Sequence, residues 1–327
     1  MAVGAVFHPS GFFIYGYVAD PSQSAFALGP GAPANFATGI NDAGTLVGNI
    51  YDASDRRWLG YTWNAANPNM VGTLYPSGSA RDVFAQAINA SGVSVGWNGY
   101  SHERRAVGYD AHGIGVDLGT LAGGAWSAAN AINSAGIAVG LSDSPLGVLP
   151  VIFAGNGVSA VALPPGSSAG EALSINDANT IVGRVSTANG ERGFFISNGI
   201  VSLLDPLDHD TSASAADINN SGHIVGLSSG ADGGRGFVIF NSLGPLALTS
   251  LLNLSGAGWL VTEATSINDN GWIAATAIDP RTGLPRGVLL EPIGAIPIDL
   301  PEPPIMLLLM LLLVVVATAP NIRTRQR

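Results

Sequence analysis

The chain has 327 residues, of which 44 are Gly and 20 are Pro; 11% are charged, and the formal net charge is −10. Cysteine is absent, which excludes disulfides, thiolate metal sites and cysteine nucleophiles. All 13 basic residues are Arg; residues 1–300 hold ten of them against 22 acids, a balance that leaves no electrostatic footprint for nucleic acid.

Abundant Gly, Pro, Ser, Thr and Asn mixed with Val and Ile predict many short strands joined by tight turns. Residues 1–36 read as a worn copy of the unit that follows. Gly11-Phe12-Phe13-Ile14-Tyr15-Gly16 echoes a Gly-x-x-Val-Gly segment with one extra residue, and Ser24-Ala25-Phe26-Ala27-Leu28 echoes a third strand. From residue 37 an Ile-Asn phrase recurs six times: ATGINDAGTLVG (37–48), AQAINASGVSVG (85–96), ANAINSAGIAVG (129–140), LSINDANTIVG (173–183), AADINNSGHIVG (215–226) and ATSINDNGWIAA (264–275). Its Asn residues, at 41, 89, 133, 176, 219 and 268, are separated by 48, 44, 43, 43 and 49 residues. Self-similarity at this period points to a propeller or a solenoid.

Each phrase predicts a hairpin between the first two strands of a unit. Asn41, Asn89, Asn133, Asn176, Asn219 and Asn268 open the turn, with the side-chain oxygen expected to accept from a backbone N–H two residues on. Gly44, Gly92, Gly136, Gly222 and Gly271 close it at a position needing positive φ. Asn179 replaces Gly there in the fourth copy, and Asn tolerates that region next best. Third strands are predicted at 60–63, 107–109, 151–153, 193–196, 236–239 and 287–290, and fourth strands at 116–121, 161–163, 201–204 and 246–249. Four strands in about 45 residues make one propeller blade.

A lone sheet of this size has both faces wet and both edges unpaired, so the units must stack, and a ring leaves no end blade uncovered. The expected fold is therefore an all-β β-propeller over residues 1–300, with blades of 43–49 residues: seven with an incomplete first, or six with an extra N-terminal hairpin. An open β-solenoid is the alternative.

Residues 301–327 form a second region. Ile305 to Ala319 is an unbroken apolar or small run; as a helix it would span about 22 Å, short of the roughly 30 Å hydrocarbon core. Pro303 and Pro304 suit a helix start and Pro320 ends it. Arg323, Arg325 and Arg327 would stay cytoplasmic, leaving residues 1–300 on the far side of the membrane.

Pro301-Glu302-Pro303, the apolar run and the terminal Arg residues, in that order, resemble the PEP-CTERM sorting signal of Gram-negative bacteria. The resemblance implies recognition by an integral-membrane exosortase and cutting near Pro301, Glu302 and Pro303. Asp117-Leu118-Gly119-Thr120-Leu121 leading to Ala131-Ile132-Asn133, and Leu251-Leu252-Asn253 through Gly258-Trp259 to the phrase ending at Gly271, resemble the HAF family of extracellular repeats over most of residues 24–290. Of the naming His-Ala-Phe triplet only Ala25-Phe26 is kept, after Ser24. That family carries no assigned activity. Both resemblances imply export, yet no Lys or Arg precedes Arg56, so the coding frame is expected to extend upstream to a signal peptide and the rest of the first unit.

No catalytic set and no cofactor site emerges. Asp205, Asp208 and Asp210 around His209 offer oxygen ligands for a hard cation, but their spacing matches no calcium loop and a solvated loop is the simpler reading. Ser101-His102-Glu103-Arg104-Arg105 lacks a nucleophile phrase and reads as a strand end. The acceptor patterns at Asn89, Asn219 and Asn253 read as incidental to turns, and Gly233-Gly234 lacks the context of a phosphate cradle. Trp97, Trp126 and Trp259, if gathered at one mouth of the ring, would stack on sugar rings; packing is the default reading. The expectation is an exported, surface- or matrix-associated, non-catalytic repeat protein of the cell envelope, anchored through its C-terminal helix before processing and binding extracellular polysaccharide or a surface protein. The alternative is an extracellular glycan hydrolase or lyase, which needs two carboxylates about 5–9.5 Å apart in one pocket.

Overall fold

The computed structural model describes the backbone of residues 2–7, 14–20, 23–27, 35–64, 67–74, 82–100, 103–155, 157–240, 244–297 and 307–315. Side chains are described for residues 36–64, 74, 82–100, 103–155, 157–240 and 244–293.

The chain opens with strands β1 (Ala2–Phe7), β2 (Ile14–Asp20) and β3 (Gln23–Ala27), paired in that order. Six four-stranded antiparallel sheets follow. The first is β4 (Asn35–Ile40), β5 (Thr45–Asp52), β6 (Arg57–Asn64) and β7 (Asn67–Thr73). The second is β8 (Val83–Ile88), β9 (Ser94–Asn98), β10 (Arg105–Tyr109) and β11 (Gly115–Gly119). The third is β12 (Ser127–Ile132), β13 (Ala138–Ser142), β14 (Leu149–Ala154) and β15 (Gly157–Ala160). The fourth is β16 (Ser167–Ile175), β17 (Ile181–Thr187), β18 (Gly190–Ser197) and β19 (Ile200–Leu203). The fifth is β20 (Asp210–Ile218), β21 (Ile224–Gly230), β22 (Gly233–Ile239) and β23 (Leu246–Ala247). The sixth is β24 (Leu260–Ile267), β25 (Ile273–Ile278), β26 (Pro285–Pro297) and β27 (Leu307–Val315).

This is an all-β, six-blade β-propeller whose blades each arise from one copy of the repeat. The N-terminal element is a three-stranded sheet where a hairpin or a partial blade was expected. Its β1 and β2 lie against β4, as β5 and β6 lie against β8. Of the segments expected in it, Ile14–Gly16 opens β2 and Ser24–Ala27 lies in β3, while residues 11–13 and 28 fall outside the described residues.

Two fourth strands differ from expectation. In the third blade the strand is β15, not 161–163, although Val161 extends the pairing by donating its N–H to the Pro150 carbonyl. In the fifth, β23 is two residues long because the chain turns into a 3₁₀ helix, Leu248–Leu251, that buries Leu248 and Leu251 against the sixth blade.

The expected C-terminal helix is also corrected where the chain is described. Over 307–315 the run is strand β27, antiparallel to β26 from Val288↔Val315 to Pro297↔Leu307. A Leu- and Val-rich stretch has no amphipathic period to favour helix over strand, and the open edge of β26 offers an unpaired row of backbone N–H and C=O groups. Residues 298–306 and 316–327, which include Pro301, Glu302, Pro303, Arg323, Arg325 and Arg327, lie outside the described residues. No helix among the described residues is long and apolar enough to cross a membrane.

The core lies between blades. Val182 of one blade packs with Ala213, Ala215 and Phe237 of the next, and Val225 and Val238 pack with Val261 and Ala264. The first strand of every blade is innermost, and each carries a register shift at the same place: Ala37/Gly39, Ala85/Ala87, Ala129/Ala131, Ala172/Ser174, Ala215/Asp217 and Ala264/Ser266. Such a bulge re-aims the extra residue, and the six residues concerned, Thr38, Gln86, Asn130, Leu173, Ala216 and Thr265, all line the central channel.

The second strands come so close that Cβ has no room. A Cβ on Gly183 would lie 2.1 Å from the Glu171 carbonyl oxygen, and the same holds at Gly48, Gly96, Gly140 and Gly226. In the sixth blade Ala275 stands at this place, paired with Ala264.

Candidate functional site at the mouths of the channel

The inner strands all run toward the Asn turns, so these turns ring one mouth of the channel. Five of the six Asn residues use both ends of the side chain, and Asn268 uses its oxygen. The oxygen accepts from the N–H four residues on, at Thr45, Val93, Ile137, Thr180, His223 and Trp272, over 2.9–3.0 Å. The expected partner two residues on is found only for Asn89, whose oxygen also accepts from Ser91. A five-residue span suits a turn whose fourth residue sits at positive φ, +73° at Gly44 and +61° at Asn179.

The amide nitrogen then donates to the next blade's Asn carbonyl: Asn41 to Asn89 (3.0 Å), Asn89 to Asn133 (3.1 Å), Asn133 to Asn176 (3.3 Å), Asn176 to Asn219 (3.1 Å) and Asn219 to Asn268 (3.0 Å). The four central Asn residues are buried, whereas Asn268, at the end of the row, is exposed. Sequence reasoning assigned these residues to turns and missed the relay, because a bond across 43 to 49 residues leaves no local trace.

Inside this mouth is a cavity of about 840 Å³ lined by all six blades. Three of its acids, Asp177, Asp217 and Asp269, are engaged by donors of the wall. Asp177 accepts from Ser134 N (2.9 Å) and from Asn220 Nδ2 (3.1 Å), and Asp269 accepts from Asn220 N and Nδ2 (both 2.8 Å). Hydrogen bonds from Ser134 hold the Asp177 carboxyl below the ordinary range. Asp217 accepts from Ser174 Oγ (2.7 Å) on the preceding blade and from Ser266 Oγ and Ile267 N (both 2.8 Å) on the following one, besides Ile218 N (2.9 Å). Its residue keeps some exposure to the channel, but the enclosure of the carboxyl group pushes its pKa up despite these four donors.

The opposite mouth, about 17–20 Å away along five or six strand residues, is built from residues with no period. Phe36 meets Trp58 edge-on at 5.5 Å, Trp58 meets Tyr51 at 5.4 Å and Phe84 at 5.8 Å, and Phe84 stacks on Trp97 at 3.9 Å. The Arg104 guanidinium continues the arc, 5.5 Å from the Trp97 ring and 4.6 Å from Trp126. Asp82 and Asp143 fix the backbone by accepting from Trp58 N (2.9 Å) and Trp126 N (2.7 Å). All these aromatic rings are partly exposed. Trp97 and Trp126 thus share one mouth, whereas Trp259 is 8% exposed in the core of the sixth blade.

The weak metal candidates are held apart by arginines. Asp205 pairs with Arg192 (3.0 Å) and Asp210 with Arg235 (2.9 Å), the Asp208 carbonyl also accepts from Arg235, and His209 turns outward at φ +71°. Among the described residues no group of three His, Cys, Asp or Glu side chains is placed to hold a metal ion. Ser101 and His102 lie outside the described residues. Asn89 and Asn219 are buried in the relay, and Asn253 caps a short 3₁₀ helix by accepting from Ser255 N.

No protein-family model matches the chain, and no curated protein is detectably similar to it. Solved structures share the fold. The β-propeller domain of the Trilobed protease from Pyrococcus furiosus, described as having an open velcro topology, aligns over 88% of both chains at TM-score 0.55 and 8% identity. TolB from Acinetobacter baumannii aligns over 73% of this chain and 60% of its own, at TM-score 0.51 and 11% identity. The Niastella koreensis GH74 enzyme aligns over 90% of this chain and 55% of its own, at TM-score 0.51 and 12% identity. The chain therefore spans less than two thirds of the latter two proteins. At such identities the likeness concerns the propeller fold alone.

Proposed function

We propose that the chain is a non-catalytic binding propeller of the HAF-repeat type, exported to the envelope or matrix of a Gram-negative cell, where it binds extracellular polysaccharide. The observation that carries this reading is the aromatic arc from Phe36 to Trp126: flat, partly exposed rings collected at one mouth, outside the repeat's structural positions. Indole and phenyl faces match the C–H faces of sugar rings. Delivery through an exosortase-type processing enzyme is proposed on the Pro301-Glu302-Pro303 order and the Arg323, Arg325 and Arg327 tail. The pairing of β27 with β26 means that this route requires 307–315 to leave the sixth blade before the membrane takes it up.

The test is a glycan array probed with the whole chain, with mass spectrometry of the C-terminus of the protein recovered from the cell surface. Saturable binding to a glycan class and loss of the residues beyond Pro-Glu-Pro are expected. A blank array would end the polysaccharide reading, and an intact Arg327 would end the processing one.

A hydrolase or lyase is the second reading, favoured by one observation. Asp217, with its raised pKa, shares the cavity with Asp177, whose pKa is lowered, and opposed shifts are the mark of an acid–base pair. Against it, all four hydrogen bonds at Asp217 come from donors of the wall, and Asn220 fills the space between Asp177 and Asp269.

A further inference from the structure

Arg104 differs from the paired arginines by its place against two indole rings. Arg57, Arg105, Arg184, Arg192, Arg235 and Arg281 each pair with a carboxylate. The Arg104 side chain makes no hydrogen bond or ion pair among the described residues, and its Nε is sealed from solvent without an acceptor. Glu171, whose charge acts on it, is engaged by Arg184. Burial between two indoles lowers the Arg104 pKa, yet a guanidinium keeps its charge at any physiological pH. Nη1 and Nη2 are neither bonded nor sealed, so the end of the fork faces solvent at the aromatic mouth.

We propose that Arg104, clamped between Trp97 and Trp126, is a carboxylate-recognition subsite for a uronic-acid unit of the polysaccharide, an inference that rests on the binding function above. The planar fork meets a carboxylate through two parallel N–H···O bonds, a geometry that an ammonium cannot reproduce. The two indoles attract the guanidinium through their faces, and the sealed Nε leaves the open end of the fork to meet a charged acceptor. The uronate ring then lies beside the exposed aromatic edge, with its C–H face available for stacking. The chain's net charge of −10 disfavours polyanions in general, so a guanidinium at this mouth that is held in no ion pair among the described residues confers selectivity for a carboxylate placed on a ring rather than for charge density.

The experiment titrates the whole chain with oligogalacturonate, neutral cello-oligosaccharide and polyglutamate of matched length, read by tryptophan fluorescence. Oligogalacturonate is expected to bind saturably, tenfold or more weakly in Arg104→Gln, and unchanged in Arg105→Gln. If Arg104→Gln fails to fold by circular dichroism, Arg104→Lys keeps charge and stacking but loses the fork, and a threefold or greater weakening is expected. Binding within twofold of the parent in the folded Arg104 variant overturns the subsite, as does polyglutamate binding as tightly as oligogalacturonate. Retained binding of the neutral glycan in that case leaves the polysaccharide function standing, whereas no binding of any glycan on the array removes both.

Discussion

The two mouths of one channel are made by opposite rules. At the Asn mouth every blade contributes the same residue in the same geometry, so that Asn41 through Asn268 form a continuous relay. At the aromatic mouth the place five residues before each Asn holds Phe36, Phe84, Ala128, Glu171, Ser214 and Glu263, and no two neighbouring blades after the second agree. Periodic residues solve the problem common to all blades, which is how to turn and how to hold the next blade. Aperiodic ones are free of that task and are where specificity is to be sought.

The sharpest way to break this division is to disturb the periodic half. Gly183→Ala places a Cβ 2.1 Å from a backbone oxygen that has no rotamer to yield. A loss of about 2 kcal/mol or more is expected from denaturant unfolding, and a loss below about 0.5 kcal/mol would show that the strand moves freely.

Next in size, Asn176→Ala removes the bonds to Thr180 N and the Asn219 carbonyl at a buried site, for a cost of about 2 kcal/mol. Asn268→Ala, exposed at the end of the relay, loses the bond from Trp272 N and costs about 1 kcal/mol. Equal effects at the two positions would deny the relay any energetic weight.

A third test uses pH. The Asp217 carboxyl is raised above its ordinary 3.8, so the folded chain binds this proton more tightly than the unfolded one. The stabilisation is fully present below about 3.8 and is lost as pH rises through the raised folded value. Urea midpoints should therefore rise for the parent relative to Asp217→Asn on acidification through that window. A difference that stays constant with pH contradicts the enclosure of this carboxylate.

The smallest effect is expected at Arg105, whose pair with Asp117 is about one third exposed on the Arg side. Arg105→Gln should change stability by less than about 0.5 kcal/mol. A larger loss would mean that the surface near the aromatic mouth also bears structural load.

The blades, their number of strands and the hairpin at each Asn phrase were legible because turn chemistry is local and recurs. Asn179 in place of Gly was enough to identify a positive-φ position. What was not legible depended on distance in sequence. Asn176 shows its turn role within five residues, but its second bond ends 43 residues away. The bulge that aims Thr38 or Gln86 into the channel lies in a strand that reads as ordinary alternation. Arg104 looked like part of a strand end until folding set Trp97 and Trp126, 29 residues apart, both within reach of its guanidinium.

For the apolar run after Pro304 the sequence permitted helix or strand, since uniform hydrophobicity carries no period, and an unfilled edge at β26 decided for strand over 307–315. Repetition, turns and the all-β class were thus determined by the chain's own residues, because they rest on interactions within a few positions. The relay, the channel's lining and the clamped guanidinium were decided only by the tertiary structure, because each needs groups from different blades brought within hydrogen-bond or stacking distance.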